Sequence, residues 1–114
     1  EARQYSAARA LMTLEPQCQL NLIDDLRSSL GSDYGVHYLL ASCTGLLGLT
    51  QRADLVRDAL AETGPQYAKS RIAAAWSCLH LSLSDQRDLI QDLSCSHGWV
   101  PLRWSCAQVL EKMN

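Results

Sequence analysis

Equivalent side chains return about every 34 residues along this chain, and that periodicity restricts the possible folds more than any other feature. Ala7, Ala41, Ala75 and Ala107 are separated by steps of 34, 34 and 32 residues. Arg3, His37, Arg71 and Arg103 keep the same steps, so the segments between them align: Arg3-Gln4-Tyr5-Ser6-Ala7, His37-Tyr38-Leu39-Leu40-Ala41, Arg71-Ile72-Ala73-Ala74-Ala75 and Arg103-Trp104-Ser105-Cys106-Ala107. A second pattern runs through the intervening segments. Leu22-Ile23-Asp24-Asp25-Leu26 matches Leu55-Val56-Arg57-Asp58-Ala59 and Leu89-Ile90-Gln91-Asp92-Leu93 at steps of 33 and 34. A plain helical bundle also carries apolar stripes, but it has no reason to hold two patterns in one register. Tandem duplication does.

The repeated unit reads as a pair of helices. Strand signals are missing: there is no Val/Ile alternation and no Asn-Gly or Asp-Gly hairpin turn. Apolar residues at helical spacing, punctuated by Gly, Pro and Ser, predict seven helices over about 2–12, 16–30, 34–48, 51–62, 66–81, 85–94 and 99–113. Pro16 and Pro101 suit first turns. Ser32 or Asp33, Thr50 and Ser84 are the expected N-caps of the third, fourth and sixth helices. The short connections make successive helices antiparallel neighbours, and 114 residues suffice for one domain. No Phe is present, so the core must be built from Leu, Ile, Val, Ala and Cys. Leu22, Ile23, Leu26, Leu55, Val56, Leu89, Ile90 and Leu93 are expected to face inward. The repeated Ala7, Ala41, Ala75 and Ala107 are expected to let helices approach closely. The recurring Arg or His is expected to pair with acids such as Asp33 or Asp58.

Asp33-Tyr34-Gly35-Val36-His37, followed by Leu40-Ala41 and Gly45, resembles the second helix of HEAT repeats and of the related armadillo type. That helix typically opens with Asp-x-x-Val-Arg and continues with paired Ala and then Leu-Gly. Arg71 with Ala74-Ala75, and Arg103 with Cys106-Ala107, carry other parts of the motif. The resemblance covers nearly the whole chain. It implies an all-α fold, an α-solenoid of stacked antiparallel helix pairs. A half repeat would span about 1–14, and full repeats 15–49, 50–83 and 84–114. It also implies that the second helices line a concave side.

On those second helices Tyr5, Tyr38, Trp76 and Trp104 form an aromatic ladder, with His80 near its edge. Rings with a polar tip are typical of recognition surfaces, so these five residues are the candidate partner-binding site. The competing reading is that the rings fill gaps between helices in a core without Phe. Enzyme motifs are missing: there is no phosphate-cradling Gly-rich loop, no nucleophile elbow and no His-Glu-x-x-His. Cys78 and His80 are two apart on a helix and point to different sides. Asp24, Asp25, Asp85, Asp88 and Asp92 fall near helix starts or on outer faces, where solvation explains them. Cys95-Ser96-His97 is the one compact Cys/His cluster, and a structural zinc site needs about four ligands. No catalytic residue, metal or cofactor is therefore expected.

The function expected is non-enzymatic binding of a partner protein through the concave face, as an inhibitor or immunity protein or as an assembly subunit. Self-association through the N-terminal edge is a further expectation, because the first helix has no outer partner. The alternative is a nucleic-acid-binding domain related to HEAT-like base-excision proteins. A net charge of -2 supplies no cationic field for that role or for an anionic membrane. No apolar run approaches the roughly 18 residues of a membrane helix. The opening residues lack the basic-then-apolar pattern of a signal peptide. Five cysteines, an odd number without Cys-x-x-Cys spacing, fit a reduced, cytoplasmic protein using thiols as small hydrophobes.

Overall fold

The computed structural model describes residues 2–30, 33–62, 64–94 and 99–113, with the side chains at 2–5, 8 and 34 outside that description. Among the described residues there are seven α-helices and no strand. They are α1 (Ala2–Leu11), α2 (Pro16–Leu30), α3 (Tyr34–Leu47), α4 (Ala53–Ala61), α5 (Ala68–Ser77), α6 (Leu83–Ser94) and α7 (Val100–Met113).

Local chemistry explains where they begin and end. Asp33 caps α3, its Oδ1 accepting from the amides of Gly35 at 2.9 Å and Val36 at 3.1 Å. The same helix ends at Gly48, whose φ of 68° is the left-handed conformation that only glycine adopts without strain. Two expected caps differ. Arg52, not Thr50, precedes α4, and it makes no side-chain cap. Ser82, not Ser84, caps α6: its Oγ accepts from the Asp85 amide at 3.3 Å and donates to the Asp85 carboxylate at 3.1 Å. The fifth helix is also less uniform than its periodicity suggests. Pro65 fixes a 3-10 turn over Pro65–Tyr67 before α5, and a second 3-10 turn over Cys78–His80 follows it.

The odd-numbered helices pack in chain order, α1 on α3, α3 on α5 and α5 on α7. The even helices pack beside them: α2 on α3, α4 on α3 and α5, and α6 on α7. Polar contacts tie neighbouring units. The buried Ser77 Oγ donates to the Ala41 carbonyl at 2.8 Å, joining α5 to α3. The Ser82 amide donates to the Thr50 carbonyl at 3.3 Å, joining the loop before α6 to the loop before α4.

The core has two clusters meeting at α3 and α4. Leu11, Ile23, Leu39, Leu40, Cys43 and Leu55 form the first. The second gathers Ala41 and Val56 with residues of α5, α6 and α7, including Ala75, Leu89 and Leu102. Ala41 and Ala75 are wholly buried, as close packing of α3 and α5 requires. At the same register Ala107 on α7 is exposed, and Ala7 on α1 is exposed at an apolar hollow that Leu22, Leu26 and Leu39 also line.

Two residues expected inside are not there. Leu22 and Ile90 are each 39% exposed, while their neighbours Ile23 and Leu89 are sealed. Successive helical residues diverge by about 100°, so two neighbours are both sealed only where core lies on two sides of a helix, as at Leu55 and Val56 on α4. On α2 the adjoining face is taken by charge. Arg27 reaches Asp58 at 2.6 Å and Asp54 at 2.8 Å on α4, and Arg52 bridges Asp24 and Asp54, each at 2.8 Å. Arg57 on α4 reaches Asp88 on α6 at 3.7 Å. The seams of the even helices thus carry Asp24, Asp54, Asp58 and Asp88.

Candidate functional site

A groove with a cavity volume of about 350 Å³ lies between α3 and α5, and three of the five candidate residues meet in it. Tyr38 comes from α3, Trp76 from α5 and His80 from the following 3-10 turn. Ser42, Gly45 and Ala73 are the small residues between them. The rings are placed by the packing of α3 on α5. Close contact at Ala41 and Ala75 brings the two helices together, and the residues on the adjoining faces then oppose each other. Trp76 is half-buried, packed on the core by one side while lining the groove with the other.

Gly45 has a specific task. A Cβ there would stand 3.1 Å from His80 Cδ2 and 3.2 Å from His80 Nε2, so the missing side chain gives the imidazole the last few tenths of an ångström of its approach to α3. Nearby hydroxyls are spoken for by backbone: Ser42 Oγ donates to the Tyr38 carbonyl at 3.0 Å and Ser77 Oγ to that of Ala41. No lining residue carries a carboxylate, guanidinium or ammonium group. The groove therefore offers aromatic faces, an indole N–H, a phenol and an imidazole, which suits recognition of an apolar or aromatic side chain.

The remaining ladder positions are elsewhere. Trp104 sits on α7, 65% exposed and away from this groove. The side chain of Tyr5 lies outside the described residues.

A second hollow, of about 420 Å³, lies among α2, α3 and α4 and is lined by Arg27, Ser28, His37, Asp58 and Glu62, among others. His37 is only 5% exposed. Its Nε2 stands 3.9 Å from Glu62 Oε1, and its ring meets Tyr67 edge-on with centroids 5.0 Å apart. The expected partners of this position are otherwise engaged, Asp33 in capping α3 and Asp58 with Arg27. The equivalent Arg71 is half-buried, and Arg103 is exposed. The repeated basic register is thus not one recurring ion pair. Glu62 and the Arg27–Asp54–Arg52 network were not legible in the sequence, because they join residues unrelated by the repeat.

The ionisation shifts follow ion pairing and burial. The hydrogen bond from Arg52, reinforced by the charges of Arg52 and Arg27, holds the Asp54 carboxyl below its ordinary range against the opposing effect of burial. Burial pushes the Cys43 thiol up to about 11 and the Cys78 thiol up to about 12, which leaves both poor nucleophiles. Cys18 is exposed. Cys95 and His97 lie outside the described residues. Among the described residues, no group of three or more His, Cys, Asp or Glu is placed to hold a metal ion. No helix of the described residues is long and apolar enough to cross a membrane. No protein family profile matches the chain, and no curated protein matches it.

Proposed function

We propose that this chain is a short HEAT-like α-solenoid that binds a partner protein, without catalysis, through the groove between α3 and α5. The observation that carries the reading is the convergence of Tyr38, Trp76 and His80 on an uncharged groove floored by small residues. Support for stacked repeats comes from the ordered contacts of α1, α3, α5 and α7, and from the sealed Ala41 and Ala75 at one register. Aromatic side chains that are anchored on one side and open on the other lose little entropy when a partner covers them. The ion pairs and buried thiols are scaffold on this reading, and no side chain is reserved for chemistry.

The test is affinity capture from the native source, followed by titration of the purified partner. Trp76→Ala and Tyr38→Phe are compared with the wild-type chain, with circular dichroism to verify folding. Hot-spot truncation costs about 2 kcal/mol or more, so Trp76→Ala is expected to weaken binding roughly 30-fold. Unchanged affinity in a folded Trp76→Ala protein removes the groove from the interface.

A further inference from the structure

The start of α7 carries an apolar and cationic face that the groove does not use. Val100 is 63% exposed and Trp104 is 65% exposed, and Trp99, one residue before the helix, is 49% exposed. Val100, Arg103, Trp104 and Ala107 follow the spacing that places residues on one side of a helix, and all four are exposed. The opposite side, Leu102, Cys106 and Val109, is buried in the core. The fold therefore fixes α7 by one face and leaves Trp104 in water on the other, with Trp99 exposed just before the helix starts.

Charge narrows what can cover them. Arg103 lies between the two indoles in sequence, and among the described residues no carboxylate pairs with it. It also stands near the positive end of a helix whose first turn contains no acid. A cation there is locally unfavourable, and a carboxylate from outside relieves it. The indole N–H groups and the guanidinium are donors only, so the face needs acceptors. Trp and Arg are the residues that dominate binding at protein interfaces. A lone cation does not make the basic cluster that holds a protein to an anionic bilayer.

We propose that the Trp99–Val100–Arg103–Trp104 face docks an acidic amphipathic segment of a partner protein, separately from the α3–α5 groove. The probe is a capped helical peptide of Leu, Ala and Glu, with a control in which every Glu is Gln. Binding is read from the indole N–H signals of Trp99, Trp104 and Trp76 by NMR. The acidic peptide is expected to shift Trp99 and Trp104, to leave Trp76 in place, and to bind about tenfold tighter than its control, a difference of about 1.4 kcal/mol. Arg103→Gln is expected to abolish that preference, and Trp104→Ala to weaken both peptides. Both positions are exposed, so the variants should melt with the wild type. Equal affinity for the two peptides, an unchanged preference in Arg103→Gln, or no indole shift at millimolar peptide overturns the proposal. Vesicles of phosphatidylcholine and phosphatidylserine form a separate arm, and a preference of the face for them over the acidic peptide also overturns it. A loss of groove binding in Trp76→Ala leaves these readouts untouched, so the two sites fail independently.

Discussion

Replacing Ala75 and Ala107 with Leu, one at a time, separates sequence register from three-dimensional surroundings. The two alanines occupy the same place in the repeat, yet Ala75 is wholly buried and Ala107 is exposed. Ala75 lies on α5, which packs against both α3 and α7, so three added carbons have no space to enter. Overpacking of that kind costs about 1–3 kcal/mol, and a change this large in a sealed helix interface belongs at the upper end. For a chain of 114 residues, each kcal/mol corresponds to about 4 °C in melting temperature. Ala75→Leu is therefore expected to lower the melting temperature by about 12 °C. Ala107→Leu meets only solvent and is expected to stay within about 0.5 kcal/mol, or 2 °C. Thermal melts followed by circular dichroism, with urea titration for the free energies, measure both. Equal losses at the two positions refute the reasoning, since they mean that α7 is covered on its outer side or that α5 is not sandwiched.

Three further outcomes follow from the packing and the charges. Leu89→Ala should cost about 2–5 kcal/mol and Ile90→Ala distinctly less, by chemical denaturation, because only Leu89 leaves a cavity in the core. Under native conditions at mildly alkaline pH, iodoacetamide labelling mapped by mass spectrometry should modify Cys18 quickly, and Cys43 and Cys78 only as the protein unfolds. Asp54 has a folded pKa below its unfolded value of about 4, so its contribution is complete at neutral pH and declines as acid protonates the unfolded chain first. Asp54→Asn should therefore cost on the order of 1 kcal/mol at pH 7, discounted for its partial exposure, and should flatten the loss of stability below about pH 4.

The helices were legible because their signals are local. Asp33 and Pro16 mark helix starts through their own chemistry, and all seven segments are readable within a few residues. Which side of a helix faces inward was harder to read. Leu22 and Ile23 are equally apolar, and the choice between them rests on the ion pairs from α2 to α4, which no sequence period encodes. Ala7 and Ala107 differ for another reason: they share a sequence register with Ala41 and Ala75, but burial depends on what packs around each helix, and both are exposed. In the candidate site, Tyr38, Trp76 and His80 share a groove as their register suggests, while Trp104 looks outward from α7. The close seat of His80 on Gly45 depends on the 3-10 turn after α5, a change of helical pitch that periodicity does not reveal.

The proposed stack is tested most directly by methyl NOE spectroscopy on a sample labelled at Ala, Ile, Leu and Val. An open series of helix pairs predicts cross-peaks that run in order, α1 to α3, α3 to α5 and α5 to α7, with Ala41 and Ala75 both inside the network. Cross-peaks closing α1 onto α7, or none between α3 and α5, would contradict it.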